Sequence, residues 1–350
     1  MYATLQASKD LVASSRAMRN GAGRETRVGT GLDLLCDHIC AEAGVWAPDV
    51  AGRAVAQAGG DLARAVTLVR VWAATLPGQA ALGCGDEEIR VVRRVSAAFA
   101  EIPGGQWLGA SPDFETRLLD WSDDDPAPTE PGMNASELLP DVRAAADADP
   151  AGAPSRAELG RVASFLRAQP GIGIAARTEP SDGPDPFDEP LGPRPSREAR
   201  LAALARGETG ALVALANVAL IGRSEAVAGE LCVGAASLRV PHPRSGAPVR
   251  VAEVPLSEAT VLGDAEVDGA TGFQPGFGVS VGRIERRALA GAVIDATLET
   301  GSPVGGMDEL RLLGAVDGLA TSGFVDHLRL PHFASFASYL DRVRPGAATT

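Results

Sequence analysis

A histidine pair near the end of the chain has the types and spacing that could hold a metal ion. His327 and His332 stand on either side of Pro331 in DHLRLPHF, and the whole sequence contains only four histidines. Proline excludes a continuous helix here and favours an extended residue before it, so both imidazoles can face one point. Zinc sites need three or four ligands. Two histidines alone make an incomplete site whose other ligands must come from elsewhere, and the spacing by itself favours two unrelated surface or core histidines.

A second group of possible ligands is Cys36, His38 and Cys40 in CDHIC. Residues four apart share one helix face, so the two cysteines lie together while His38 points roughly the other way. The cysteines fall on the apolar face of LDLLCDHIC, where small buried thiols are common. We therefore expect core cysteines here rather than a metal site.

The segment AEIPGGQW could bind an anion. Pro103, Gly104 and Gly105 predict a tight turn with exposed backbone N–H groups, which can form an anion-binding nest. A simple turn between two helices explains the same residues. The segment is not a P-loop, because the Gly-Lys-Ser/Thr ending is absent. Further polar groups add to the turn or flank it in the sequence: Gln106, Arg93, Arg94 and Arg117.

A later segment, GFQPGFGVSVGRIERRAL, places glycines before a predicted helix. We interpret its first part as a glycine-rich turn, and glycines before a helix N-terminus suit phosphate binding. The spacing is not that of a Rossmann dinucleotide site. The glycines are Gly276, Gly278 and Gly282, and the helix start carries Arg283, Arg286 and Arg287.

The elements that position these residues occur in runs. Residues 1–121 are predicted to be mainly helical, with helical periodicity in GLDLLCDHICAEAG, DLARAVTLVRVWAATL and DEEIRVVRRVSAAFAEI, followed by a short helix in PDFETRLLDW. Residues 122–195 are rich in Pro, Asp and Gly and predict an exposed, partly flexible insertion around a possible helix, RAELGRVASFLRAQ, with a packed subdomain as the alternative.

Residues 196–345 predict a mixed region. SREARLAALARGETGALVALANVALIG is helical, with Ser196 as a cap and Gly207 as an interruption, and 228–281 alternates like strands. RIERRALAGAVIDATL and MDELRLLGAVDGLATSG complete the helices. Runs of helices and strands, rather than strict alternation, predict an α+β fold.

The composition excludes some classes of function. A net charge of −13 argues against nucleic-acid binding as the main task, although a local basic pocket for a phosphorylated small molecule fits. The four cysteines show no disulfide framework, and neither a signal peptide nor an apolar run of membrane-spanning length is present. We therefore expect a soluble, cytoplasmic protein.

Four ordered blocks resemble one family, the PhnI subunits of the bacterial carbon–phosphorus lyase core complex. They are RRVSAAFAEIPGGQWLGASPDFETRLLDW, SREARLAALARGETGALVALA, GFGVSVGRIERRALAGAVIDATL and GFVDHLRLPHFASF. The sequence departs from the family where a Gly-Gly-Glu is usual, at Ala7 to Lys9, and where His-Pro is usual, at Glu225 and Ala226. These departures indicate a diverged branch.

The resemblance implies a function in phosphonate breakdown. With the companion subunits PhnG, PhnH and PhnL, such a protein displaces adenine from ATP by a phosphonate, giving a ribose 1-phosphonate 5-triphosphate. Alone, it resembles a purine nucleosidase. The later radical step belongs to PhnJ, and the resemblance implies that His327 and His332 help to hold a zinc ion at the contact with that subunit. The alternative is a non-catalytic scaffold that only supplies these histidines to a partner.

The predicted chemistry assigns tasks to the matched blocks. Displacement at the anomeric carbon passes through an oxocarbenium-like state, which a carboxylate stabilises or assists by protonating the base. Asp113, Asp120 and Glu285 are the candidate carboxylates, with no roles assigned among them. Guanidinium groups and glycine turns suit the triphosphate. The candidates for substrate binding are Gly104, Gly105, Gln106, Arg93, Arg117, Arg286 and Arg287.

Overall fold

The computed structural model describes residues 32–77, 83–99, 101–107, 111, 113, 153–175, 192, 195–221, 226–329 and 333–344. Its first segment forms three helices, α1 (Asp33–Ala43), α2 (Pro48–Ala58) and α3 (Leu62–Ala73). Their apolar faces meet in one core that includes Cys36 and Cys40. The prediction that these cysteines belong to the core is confirmed, and burial raises the pKa of Cys40 to about 11.

A mixed sheet of five strands forms the centre of the described fold. The strands are β1 (Ile89–Val95), β2 (Gly173–Ile174), β3 (Ala226–Pro241), β4 (Pro248–Val267) and β5 (Ala270–Val281), in the order β1-β3-β4-β5-β2. All pairs are antiparallel except β2 with β5. The strands predicted within 228–281 and the α+β class are both confirmed.

Strand β1 corrects the prediction of a helix in DEEIRVVRRVSAAFAEI. Only Asp86–Glu88 forms a short 3-10 turn, and Ile89–Val95 then pairs with β3, with Ile89 opposite Ala236. The acidic residues at the start and the arginines further on follow the charge order that a helix dipole favours. However, Ile89 and Val91 are buried and alternate with more exposed residues, as in a strand. The partner strand lies far along the sequence, and its pairing outweighs the local pattern.

The glycine-rich segment after Thr271 is strand β5 and not the turn that we predicted. Helix α8 (Glu285–Glu299) packs directly on this strand. A Cβ at Gly276 would lie 2.1 Å from the carbonyl oxygen of Ala292, and one at Gly278 would lie 2.0 Å from that of Ala288. Glycine is therefore required at both positions so that the helix can approach the strand backbone.

The predicted helices of residues 196–221 and 285–299 are confirmed. Helix α6 (Arg197–Arg206) begins at Ser196, whose hydroxyl accepts from the N–H of Ala199 at 3.2 Å, and ends at Gly207. Helix α7 (Thr209–Ile221) follows at once. Both helices join α8 and the sheet in the largest apolar core, which is rich in alanine and leucine.

Residues 153–175 are the described part of the predicted insertion, and they pack against the sheet rather than lying exposed. They form α4 (Arg156–Leu159), α5 (Val162–Arg167) and β2, which confirms the possible helix as two short ones. Arg156 is only 1% exposed. Its guanidinium contacts Glu230 and Glu258, each at 2.5 Å, and Glu230 also accepts from Arg94 Nε at 2.6 Å. We call these four side chains the buried ion network.

The last described segments are short helices around the histidine region. Helices α9 (Glu309–Val316), α10 (Gly318–Thr321) and α11 (Gly323–Asp326) lead into a 3-10 turn, His327–Arg329, and α12 (Phe333–Val343) begins beyond Pro331. Residues 330–332, for which the sequence predicted a break at the proline, lie outside the described residues. In the described part of the chain, no helix combines the length and apolar character needed to cross a membrane.

Candidate anion site at the start of helix α8

Two partly exposed arginines lie at the start of α8, Arg283 just before the N-cap and Arg286 in the first turn. The side chains of Arg283 and Arg286 are 41% and 51% exposed. The N-cap residue, Ile284, supplies no side-chain hydrogen bond to the helix start. The helix has 15 residues, so its N-terminus adds a partial positive charge to that of the two guanidiniums. We call Arg283, Arg286 and their carboxylate partners the α8 site.

Arg283 is fixed by a carboxylate of helix α1. Oδ2 of Asp37 accepts from the backbone N–H of Arg283 at 2.9 Å and from its Nε at 3.0 Å. Gly282 has a φ of 86°, and a Cβ there would lie 3.0 Å from Cβ of Asp37. Glycine therefore lets the chain turn into α8 while Asp37 stays close to the helix start.

Arg286 is fixed in the same way by Asp113. This carboxylate accepts from the backbone N–H of Arg286 at 2.8 Å and pairs with its Nη2 at 2.6 Å. Burial raises the pKa of Asp113 above its usual value, the charge of Glu285 raises it further, and Arg286 opposes the rise. Asp113, which was one of three candidate carboxylates, thus lies at the α8 site.

Glu285 also lies in this first turn. Its Oε1 accepts from Nε of Arg93 at 2.7 Å, and the two side chains are only 10% and 17% exposed. Strand β1 therefore brings a predicted substrate-binding arginine to a predicted catalytic carboxylate across 192 residues of sequence. Arg117 and Asp120, the other candidates of the same block, lie outside the described residues.

The glycine turn is held by Arg94, the neighbour of Arg93. The carbonyl oxygens of Pro103 and Gly105 accept from Nη1 of Arg94 at 2.8 and 3.4 Å. The N–H of Gly105 bonds to the carbonyl of Ile102 at 2.9 Å, so this donor is used within the turn. Gly104 and Gly105 have φ values of 84° and 86°, which favour glycine. Gln106, whose side chain was expected to help bind an anion, follows directly.

Arg287 differs from its neighbour Arg286, because it is only 2% exposed. Its guanidinium donates to the carbonyls of Ala205 and Gly207 and to Oγ1 of Thr209, at 2.7 to 2.8 Å. Burial lowers its pKa to about 10. The structure thus gives Arg287 a structural task, joining α8 to the end of α6, and does not bring it to a surface where a substrate could bind.

His38 is a residue of this region that the sequence analysis set aside. Its Nδ1 lies 3.1 Å from Oγ1 of Thr209. Burial, followed by the charges of Arg286 and Arg287, lowers the pKa of His38 to about 4, against the opposing charge of Glu42. The available sequence signal was its position next to Asp37. Its hydrogen-bond partner, Thr209, lies 171 positions away in the sequence, so no local pattern reveals the contact.

The histidine pair is only half described. His327 lies exposed in its 3-10 turn, whereas His332 lies outside the described residues. Within the described ranges, no group of three or more His, Cys, Asp or Glu side chains could hold a metal ion. The described residues therefore supply one imidazole of the expected site, and the zinc prediction stays a prediction.

The fold and the site define an α+β protein whose central helix starts with partly exposed arginines. A family model described as "Bacterial phosphonate metabolism protein (PhnI)" matches residues 2–349. The chain therefore belongs to the PhnI family, as the four sequence blocks predicted.

Three relatives are similar to this chain. Proteins named alpha-D-ribose 1-methylphosphonate 5-triphosphate synthase subunit PhnI are 30% identical to it in Rhizobium meliloti, over 89% of this chain and 83% of the relative, and 30% identical in Escherichia coli, over 98% of both. HtxH of Stutzerimonas stutzeri, whose name places it in a C-P lyase, is 37% identical over 158 residues, which cover 42% of each chain.

Proposed function

We propose that this protein is the subunit of a carbon–phosphorus lyase complex that displaces adenine from ATP by a phosphonate. The product is a ribose 1-phosphonate 5-triphosphate, and the isolated chain acts as a purine nucleosidase. The names of its two full-length relatives support the synthase reaction. PhnG, PhnH and PhnL are the proposed companions in this step, PhnJ acts afterwards, and the cytoplasm is the proposed location.

One observation carries the proposal: the two arginines at the start of α8 are held in place but partly exposed. Arg283 and Arg286 each use a buried carboxylate, Asp37 or Asp113, as an anchor. A guanidinium presents five N–H donors, so an arginine anchored along one edge can still bind phosphate oxygens with the other. We propose that the triphosphate lies here and that the turn at Gly104–Gln106 lines the same cleft.

Two carboxylates next to these arginines, Glu285 and Asp113, supply the rest of the proposed chemistry. As the bond from the ribose to the base lengthens, positive charge develops on the sugar, and a nearby carboxylate stabilises it. Glu285, whose negative charge Arg93 holds in one orientation, suits that role. Asp113 has a raised pKa, which suits a group that holds a proton for the departing base.

We further propose a zinc ion at the contact with PhnJ, held in part by His327 and His332. Zinc would fix the orientation of the two subunits and polarise any group bound to it. The exposure of His327 supports a ligand that is completed by another chain. Equal zinc content in the assembled wild-type complex and in the complex carrying both His327→Ala and His332→Ala would contradict this role.

A scaffold without activity is the second candidate. It is favoured by the fact that Glu285 and Asp113 are each paired with an arginine, as structural carboxylates often are. The two candidates differ in one measurable product. The chain is incubated with ATP, alone and with its companions, and free adenine is measured by chromatography. Adenine release that is lost in Glu285→Gln supports the enzyme, and its absence in every combination supports the scaffold.

A further inference from the structure

Thr209 determines which nitrogen of His38 carries the proton. Its Oγ1 lies 2.7 Å from Oε1 of Glu42, 2.8 Å from Nη1 of Arg287 and 3.1 Å from Nδ1 of His38. A carboxylate can only accept, so the single hydroxyl proton goes to Glu42, and a guanidinium can only donate, so Arg287 occupies one lone pair. The remaining lone pair must therefore accept a hydrogen bond from Nδ1–H of His38.

The neutral imidazole is therefore the Nδ1–H tautomer, with a lone pair on Nε2. Among the residues that the structure describes, Nε2 has no hydrogen-bond partner. The ring is only part-buried, and its low pKa, about 4, keeps it uncharged near neutral pH. The lone pair is thus an acceptor that is available to a ligand.

The position of this acceptor relates it to the α8 site. Asp37, the preceding residue, anchors Arg283, and Thr209 joins the imidazole to Arg287, which follows Arg286 in the first turn of α8. The ribose is the part of a nucleotide that follows directly on the triphosphate. We propose that His38, through Nε2, accepts a hydrogen bond from a ribose hydroxyl of the bound nucleotide and so selects a nucleotide over an inorganic polyphosphate. This inference rests on the proposed function.

Two substitutions separate the two nitrogens. His38→Asn places an amide N–H near the position of Nδ1, so the bond to Thr209 is kept and the acceptor is lost. His38→Gln reaches the position of Nε2 with an amide oxygen, so the acceptor is kept. Affinities for ATP and for inorganic tripolyphosphate are measured by calorimetry on the assembled complex of each variant, and folding is checked by thermal denaturation.

We expect His38→Asn to bind ATP about tenfold more weakly while tripolyphosphate affinity stays unchanged, because one hydrogen bond to the sugar is lost. His38→Gln should lose clearly less affinity for ATP. The inference is overturned if His38→Asn binds ATP like the wild type, or if it loses affinity for both ligands equally. If the wild-type complex binds neither ligand, the proposed function fails first, and this inference fails with it.

Discussion

Arg93 and Arg94 are adjacent in strand β1, yet they belong to two very different groups of charges. Arg94 enters the buried ion network, in which its own side chain is 0% exposed and that of Glu230 is 2% exposed. Arg93 pairs with Glu285 in the first turn of α8, next to the α8 site, whose arginines, Arg283 and Arg286, are 41% and 51% exposed. The first group is closed to solvent, whereas the second presents positive charge to it.

The difference separates stability from function. A buried pair stabilises little by its attraction, but removal of one partner is costly because the other charge stays buried. A partly exposed arginine loses little hydration free energy on folding, and its solvent-facing N–H groups can still donate to an anion. We therefore expect substitutions in the buried ion network to change the free energy of unfolding, and substitutions in the α8 site to change ligand affinity.

The largest effect is expected from Arg156→Met. It leaves Glu230 and Glu258 buried without their shared counter-charge, which should lower the free energy of unfolding by about 3 to 5 kcal/mol in urea denaturation. Arg311→Met is the control, because its pair with Asp308 is largely exposed, at 77% and 58%, and should change stability by no more than about 0.5 kcal/mol. If both variants lose the same free energy of unfolding, the buried ion network is no more important for stability than an exposed pair.

Arg286→Ala and Arg287→Ala should affect different properties. Arg286→Ala is expected to weaken ATP binding at least about tenfold, since a charge-assisted bond to phosphate is lost. The loss of stability should be small, because the backbone N–H at position 286 still donates to Asp113. Arg287→Ala should instead lower the melting temperature. It removes the guanidinium that lies 3.6 Å from Oε1 of the buried Glu42, and four acceptors lose their donor. If Arg286→Ala binds ATP with unchanged affinity in calorimetry, Arg286 has no binding role and the contrast with Arg287 is wrong.

A smaller effect is expected at the glycine turn. Gly104→Ala and Gly105→Ala both force a side chain into a left-handed conformation, at a cost of about 1 to 2 kcal/mol. At Gly104 the new Cβ would also lie 2.8 Å from the carbonyl oxygen of Leu159, whereas at Gly105 the nearest atom lies at 3.8 Å. Denaturation should therefore find Gly104→Ala clearly less stable, and the reverse order would mean that Arg94 does not fix the turn.

The effect that is smallest near neutral pH is a dependence of stability on pH that comes from His38. In the folded chain its pKa is about 4, because of burial and the charges of Arg286 and Arg287, with Glu42 opposing. An unfolded histidine titrates near about 6.5, so between these values the unfolded state binds a proton that the folded state does not. Stability should fall as the pH falls through this range. His38→Asn should show a weaker dependence, and an identical pH profile would contradict the shift.

The sequence predicted those parts of the fold that depend on local patterns. Ser196, Gly207 and the apolar periodicity around them located α6 and α7, and Cys36 and Cys40 were correctly assigned to the core. Strand β1 was missed because its charge pattern resembles that of a helix and its identity depends on pairing with β3, more than a hundred residues away.

The candidate site was predictable in its residue types and not in its pairings. Asp113, Glu285 and Arg286 were singled out because they lie in blocks that resemble one family, and the structure brings them together at the start of α8, while their function stays a prediction. The sequence could not show that Arg286 is anchored and partly exposed whereas Arg287 is buried. This difference depends on contacts with carbonyl and carboxylate oxygens that are distant in the sequence. The contact between His38 and Thr209, on which its proposed role rests, was missed for the same reason, since the two residues meet only in the fold.

The contact between strand β5 and helix α8 also limits how this protein can change. With carbonyl oxygens of the helix 2.0 to 2.1 Å from where a Cβ would stand, a methyl group at Gly276 or Gly278 would push the helix away and displace its first turn. The helix start is thus set before any ligand arrives, and little ordering entropy remains to be lost on binding. New specificities should therefore arise more readily by exchange of side chains around the first turn than by movement of the helix.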